Sequence, residues 1–198
     1  MKILLPILSY LLGAFPTGYL LFRWTSREDI RTFGSGATGA TNVLRLKGWR
    51  LAVPVALIDV VKGAIPALVA FRYSRDPGFA ALCASAAVIG HCYPVYIGFK
   101  GGKGVATAAG AMFSLAPGPA ALCLAVFVVL VALTRYISLG SIAAAALFPV
   151  FGALLHRPLA LILGSLPLVL VILFRHRSNI RRLIRGTERK LGEKAAVT

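Results

Sequence analysis

The chain has 198 residues, 58% of them hydrophobic, with a mean hydropathy of +0.82. Soluble domains are roughly 45–50% apolar even with glycine counted; the excess here lies in long runs, which excludes an ordinary soluble fold and leaves room for one bundle of membrane helices. The formal net charge of +16 would suit nucleic acid, but the cations fill the gaps between apolar runs, where they serve as membrane flanks, so nucleic acid is excluded as a partner.

The first apolar run, Ile3 to Phe22, is too long for a signal-peptide core and lacks a convincing cleavage site, so it reads as a retained helix. A polar segment follows: Gly34-Ser35-Gly36-Ala37-Thr38-Gly39-Ala40-Thr41-Asn42, then Arg45. Glycines let a backbone approach a ligand closely, and successive N–H groups in such loops form anion-binding concavities. Ser35, Thr38, Thr41, Asn42 and Arg45 add side-chain donors, so the segment asks for a phosphate. Gly34-x-Gly36-x-x-Gly39 formally matches the dinucleotide fingerprint, but no buried strand precedes it and Asp59 lies inside an apolar run. The segment is also close to a phosphate-binding P-loop, but Ala40 stands at the lysine position, which argues against nucleotide hydrolysis.

The second run, Leu51 to Phe71, carries Asp59 and Lys62 three residues apart. Ionisable groups at membrane depth are costly unless paired or functional, and mutual pairing is the simpler account. The third run is Phe79 to Ile97. It contains His91, either a general base or a packed interfacial histidine, and leads into Phe99-Lys100-Gly101-Gly102-Lys103-Gly104. Lys103 stands between glycines at the start of a fourth helix, with Thr107 in its first turn. A helix start offers free N–H groups and a positive dipole end to an anion. Val105 to Thr134 would make one helix about 45 Å long against a hydrocarbon core of about 30 Å, so Pro117-Gly118-Pro119 divides it into two short helices.

Ile137 to Leu155 and Leu159 to Phe174 complete seven expected membrane helices. Near the start of the sixth, Ser138 reads as either a helix cap or a ligand, and Ser141 lies one turn further in. After the seventh come Arg175-His176-Arg177-Ser178-Asn179, where His176 and Asn179 share one helical face, and then a basic run. Arg185, Arg189 and Lys194 in that run are expected to meet lipid headgroups. Cys83, Cys92 and Cys123 read as packing thiols, no metal or cofactor is required, and His156 is assigned no role.

Charge sets the orientation. With the N-terminus outside, one face receives Arg23, Arg27, Arg31, Arg45, Lys47, Arg50, Lys100, Lys103, Arg135 and the tail cations. The other has only Lys2, Arg72, Arg75 and Arg157. The basic face is expected to be cytoplasmic, with the C-terminus and all the glycine-rich loops on that side. Residues 1–198 form a single all-α domain on this reading, and 183–198 are its basic cytoplasmic tail.

These residues resemble the bacterial acyl-phosphate:glycerol-3-phosphate acyltransferase family. The resemblance rests on Gly34-Ser35-Gly36-x-x-Gly39-Ala40-Thr41-Asn42-x-x-Arg45, Asp59-x-x-Lys62-Gly63, and Gly90-His91-x-Tyr93-Pro94 with Phe99 to Thr107. It continues through Ser138-Leu139-x-Ser141 and Arg175-His176-x-x-Asn179-Ile180-x-Arg182-Leu183. One departure is Ala37, where the family usually has asparagine. The resemblance implies a seven-helix enzyme of the bacterial inner membrane that moves an acyl group from a fatty acyl phosphate to the 1-hydroxyl of glycerol 3-phosphate. The products are 1-acylglycerol 3-phosphate and phosphate. Ser35, Arg45, His91, Lys103 and Asn179 are the expected catalytic residues. Gly36, Thr41, Asn42, Gly101, Gly102, Gly104, Thr107, Ser141 and His176 are expected to bind substrate, and membrane lipids are the remaining partners. The rival reading is an exchanger of phosphorylated metabolites, which needs polar residues along a path to both faces.

Overall fold

The computed structural model describes residues 2–193, all helix and connecting loops with no strand among them; Lys194 and the last residues of the basic tail lie outside the described residues. Ten α-helices follow in order: α1 (Leu4–Gly13), α2 (Thr17–Ser26), α3 (Ala40–Lys47), α4 (Trp49–Ser74), α5 (Pro77–Cys92), α6 (Val105–Leu115), α7 (Pro117–Thr134), α8 (Ile137–Leu154), α9 (Leu159–Arg175) and α10 (Arg177–Ile184).

Every expected apolar run folds as helix. Among the described residues, five spans are long and apolar enough to cross a membrane: Leu4–Ser26, Trp49–Ser74, Pro77–Ile97, Pro117–Thr134 and Ile137–Leu154. Helices α9 and α10, bent by 51° at His176, make a sixth if taken together. The short helix α6 has 11 residues, about 16 Å at 1.5 Å per residue and so half a hydrocarbon core.

Proline explains where the helices break. The first run is not one straight helix: it is interrupted at Ala14–Pro16, because Pro16 has no N–H to continue the ladder. The third run stops at Cys92, short of Ile97, because Pro94 forces Tyr93 out of the helical region. Pro77 and Pro117 do the reverse and open α5 and α7, where a missing N–H costs nothing. Asp76 caps α5 by accepting the Gly78 N–H at 2.8 Å.

Small residues let the helices touch. A Cβ on Gly63 would strike the Thr107 carbonyl, and one on Gly110 the Val60 carbonyl, so α4 and α6 run antiparallel in backbone contact. Gly13 against Ala87 and Gly90 against Tyr10 do the same for α1 and α5. In a bilayer, where apolar side chains gain nothing by leaving lipid, such close approach is what holds helices together. The main core joins Val88 and Cys92 of α5, Met112 of α6, Phe148 of α8, and Leu168 and Ile172 of α9. All three cysteines are free and buried. The consequence for function is positional: the loops 27–39 and 93–104, the start of α8 and the α9–α10 bend meet at one end of the bundle.

Candidate active site

The first loop is shaped by its own side chains. Gly34 and Gly36 take positive φ values of 61° and 67°, and Asn42 gathers the turn around itself. Its Oδ1 accepts the Ser35 N–H at 3.1 Å, and its Nδ2 donates to the carbonyls of Phe33 (3.2 Å) and Ala37 (2.9 Å). Both amide protons are thereby spent. Asn42, expected as a phosphate ligand, therefore positions the loop and presents no donor of its own. Arg31 ties this loop to the second one: its guanidinium pairs with Asp29 at 2.6 Å and donates to the Ile97 carbonyl at 2.7 Å.

The second loop is pinned from behind. The Gly101 and Gly102 N–H groups donate to the Cys92 and His91 carbonyls (3.3 and 3.1 Å). Arg175 clamps the Gly102 and Gly101 carbonyls at 3.0 and 2.9 Å while lying over the Tyr93 ring. A Cβ on Gly102 would run into the His91 imidazole, and one on Gly101 into the His91 carbonyl and Pro94. These two glycines, expected to bind substrate through their N–H groups, instead allow the loop to lie flat on His91. Gly104, at φ 83°, caps α6 and faces Val88 and Cys92.

His91 itself lies with Nδ1 3.6 Å from Asp59 Oδ1, and Lys62 Nζ sits 2.8 Å from the same oxygen while donating to the Phe15 carbonyl at 2.9 Å. The expected Asp59–Lys62 pairing is thus present, inside a buried cluster that also holds His91. Thr107 is fully buried against Gly63, away from the cavity described next, and Gly36 likewise does not line it.

One cavity of about 700 Å³ opens at this end of the bundle. Ser35, Thr41, Arg45, Lys103, Ser141, His176 and Asn179 all line its mouth, with Gly104 and the edge of His91 in its wall. Residues from four separate stretches of chain thus share one cavity.

The mouth is held by a chain of hydrogen bonds that sequence reasoning did not foresee. Lys103 Nζ donates to Asn179 Oδ1 (2.6 Å), and Asn179 Nδ2 donates to Glu188 Oε1 (2.7 Å). Ser138 Oγ donates to the same oxygen (2.9 Å), and Arg182 Nε donates to Glu188 Oε2 (2.7 Å). Ser138 therefore serves Glu188 and not the helix end. Past Gly186, the chain folds back over the mouth. Leu191 and Arg135 exchange bonds at 2.7 Å, and Arg45 reaches the Arg189 carbonyl at 3.3 Å. The signal for Glu188 was present, a single acid amid Arg182, Arg185 and Arg189, but only tertiary folding brings it under Asn179.

Electrostatics follow from this packing. Burial pushes the Lys103 ammonium down to about 8, Glu188 opposes the shift, and Arg182, Arg45 and Arg175 add to it. Burial works to raise the Glu188 carboxyl, but bonds from Asn179, Arg182 and Ser138 outweigh it and hold the group below the usual range. Burial lowers the Arg45 guanidinium from its ordinary value. His176 Nδ1 lies 2.8 Å from the Ile172 carbonyl. A carbonyl can only accept, so Nδ1 carries the proton and Nε2 is left for a ligand.

Below the mouth the lining turns apolar, with Met112, Phe127, Ala144, Phe148, Leu168 and Val169 among its walls. Two cations, Arg45 and Lys103, thus sit on top of a shaft suited to a hydrocarbon chain.

Comparison with known proteins agrees with this geometry. The family model described as glycerol-3-phosphate acyltransferase matches residues 3–186. The glycerol-3-phosphate acyltransferase of Syntrophotalea carbinolica is 46% identical over 184 residues, covering 92% of this chain and 93% of its own. That of Thermoanaerobacter pseudethanolicus is 40% identical over 195 residues, 98% of each. The crystal structure of PlsY (YgiH), an integral membrane glycerol 3-phosphate acyltransferase, in its glycerol 3-phosphate form superposes with a TM-score of 0.92 at 38% identity, over 96% of both chains. Its lysophosphatidic acid form gives 0.89 at 37% identity, over 97% of this chain and 96% of that one. This all-helical, multi-pass integral membrane chain belongs to the glycerol-3-phosphate acyltransferase family.

Proposed function

We propose that this cavity transfers the acyl group of a fatty acyl phosphate to the 1-hydroxyl of glycerol 3-phosphate, releasing 1-acylglycerol 3-phosphate and inorganic phosphate. The observation that carries this reading is the continuity of the cavity: a cationic mouth for two phosphates opens directly into an apolar shaft for one chain. The PlsY structures in glycerol 3-phosphate and lysophosphatidic acid forms support the acceptor and the product. The exchanger reading asks for polar groups along a path to the far side, whereas beyond Asp59 and His91 the deep lining, Met112, Ala120, Phe148 and Leu168, is apolar.

In this reading Ser35, Thr41, Arg45 and Lys103 grip the phosphate groups. His176 Nε2 accepts from a glycerol hydroxyl, and Asn179 steers Lys103. An acyl phosphate is a mixed anhydride with a good leaving group. The 1-oxygen attacks the carbonyl carbon, the C–O bond to phosphate breaks, and the departing phosphate takes the hydroxyl proton. Catalysis then rests on positioning and on charge stabilisation, with no protein nucleophile. His91, packed between Asp59 and Gly102, supports the loop and takes no proton. The basic mouth draws in anionic substrates.

The cation asymmetry supports an orientation with the mouth on the cytoplasmic side of a bacterial inner membrane and the N-terminus outside. The family match over residues 3–186 favours one working domain.

Purified protein mixed with acyl phosphate and glycerol 3-phosphate should release phosphate only when both are present. Ser35→Ala, Arg45→Ala and Lys103→Ala should each lower kcat by about 10²–10³-fold, the loss typical of one charge-stabilising donor, and Asn179→Ala should lower it through the misplacement of Lys103. Near-normal turnover in all four would remove the assignment.

A further inference from the structure

The shaft has a floor. Along α8, inward of Ile137 and Ser138 at the mouth, the cavity-lining residues are Ser141, Ala144, Ala145 and Phe148, at i, i+3, i+4 and i+7 and so on one helical face. The series runs polar, small, small, large. Phe151 and Gly152, one turn deeper, are no longer in the lining, and Gly152 packs against Ile162. The other walls end in the same core: Met112 on α6, Ala120 on α7 and Leu168 on α9 are the deep lining residues, and all belong with Phe148 to the main buried cluster. Phe148 is 4% exposed and Leu168 2%, so this end is closed. From Ser141 to Phe148 is about 10 Å of helix.

The shaft also has an open flank. Val53 of α4, Phe113 of α6 and Leu124 of α7 line it too, and each is exposed on the lipid-facing surface. A chain entering at the mouth has two courses, inward past the alanines of α8 or sideways into the bilayer. Only the inward course measures length.

We propose that Phe148 is the end-stop of the acyl site and sets the longest chain the enzyme accepts efficiently, the alanines at 144 and 145 being small to let the chain pass. This rests on the acyl-transfer reading above. Each methylene buried in an apolar site contributes about 0.8 kcal/mol, roughly fourfold in kcat/KM. The fourfold gain per methylene should therefore continue until the chain tip meets Phe148 and then stop or reverse.

The test measures kcat/KM for saturated acyl phosphates of graded length in wild type, Phe148→Leu, Phe148→Ala and Ala145→Leu. Either Phe148 variant should move the break to longer chains and Ala145→Leu to shorter ones, with kcat/KM changing about fourfold for each methylene newly admitted or excluded. KM for glycerol 3-phosphate, whose contacts lie at the mouth, should hold steady, which separates a change of ruler from general damage. Should Phe148→Ala not fold, Phe148→Leu, still apolar but shorter than the ring it replaces, carries the test. Unchanged length profiles in active Phe148→Leu and Ala145→Leu would overturn the proposal. So would a profile that responds to Leu124→Trp on the open flank and not to Phe148. Wild-type protein that releases no phosphate from a donor of any length would instead sink the acyl-transfer reading, and the end-stop with it.

Discussion

Lys103 is the residue on which the mouth turns. Its ammonium is half-buried among arginines and held at about 8, so it is charged at neutral pH and loses its charge within reach of ordinary assays. If the protonated form grips substrate phosphate, kcat/KM should fall about tenfold per pH unit above 8, since that ratio reports the free enzyme. Lys103→Arg should abolish this alkaline limb, because a guanidinium stays charged. Glu188 raises the Lys103 value while its neighbours lower it. Glu188→Gln should therefore move the limb to lower pH, and a pH profile of that variant matching wild type would contradict the coupling. The same residues show what sequence could convey. Ser35, Arg45, Lys103 and Asn179 were legible because hydroxyls, an amide and cations among glycines have few other uses beside a membrane. The division of labour was not legible. Asn42 and Gly102 sit in the same motifs, yet their groups are turned inward to the loop backbone and to His91.

At the scale of elements, the buried cluster of Asp59, Lys62 and His91 joins the break between α1 and α2, the middle of α4 and the end of α5. Lys62 pairs with the Asp59 carboxylate and donates to the Phe15 carbonyl, and His91 forms the bed on which Gly102 lies. Removing one member of a buried ion pair strands the other charge, at about 3–5 kcal/mol, whereas replacing both with apolar groups is often neutral. Asp59→Leu and Lys62→Met should each lower the midpoint of thermal unfolding in detergent, and the double variant should recover most of the loss. A double variant no better than the worse single one would mean that the Phe15 contact, and not the ion pair, carries the stability. Helix positions were read well from sequence because runs of apolar residues and proline breaks are local signals: Pro117-Gly118-Pro119 divides α6 from α7 where expected. The interruption at Pro16 and the early stop at Cys92 were missed because hydropathy alone does not register a lost N–H.

Across the whole molecule, the fold gathers positive charge at the same end as the cavity, and that polarity is open to direct measurement. Arg75 follows α4 at the end remote from the mouth, whereas Arg185 follows α10 beside it. The native thiols Cys83, Cys92 and Cys123 are all buried, so a cysteine placed on the surface would report against a low background. A membrane-impermeant thiol reagent applied to intact spheroplasts should label Arg75→Cys and spare Arg185→Cys, and permeabilising the cells should expose both. The physical reason is the cost of moving cations across during insertion, which retains Lys- and Arg-rich segments on the cytoplasmic side. It also ties topology to chemistry, because two of the cations that orient the chain, Arg45 and Lys103, also line the mouth of the cavity. Labelling of Arg185→Cys from outside would invert the molecule and place the mouth on the side away from cytoplasmic glycerol 3-phosphate.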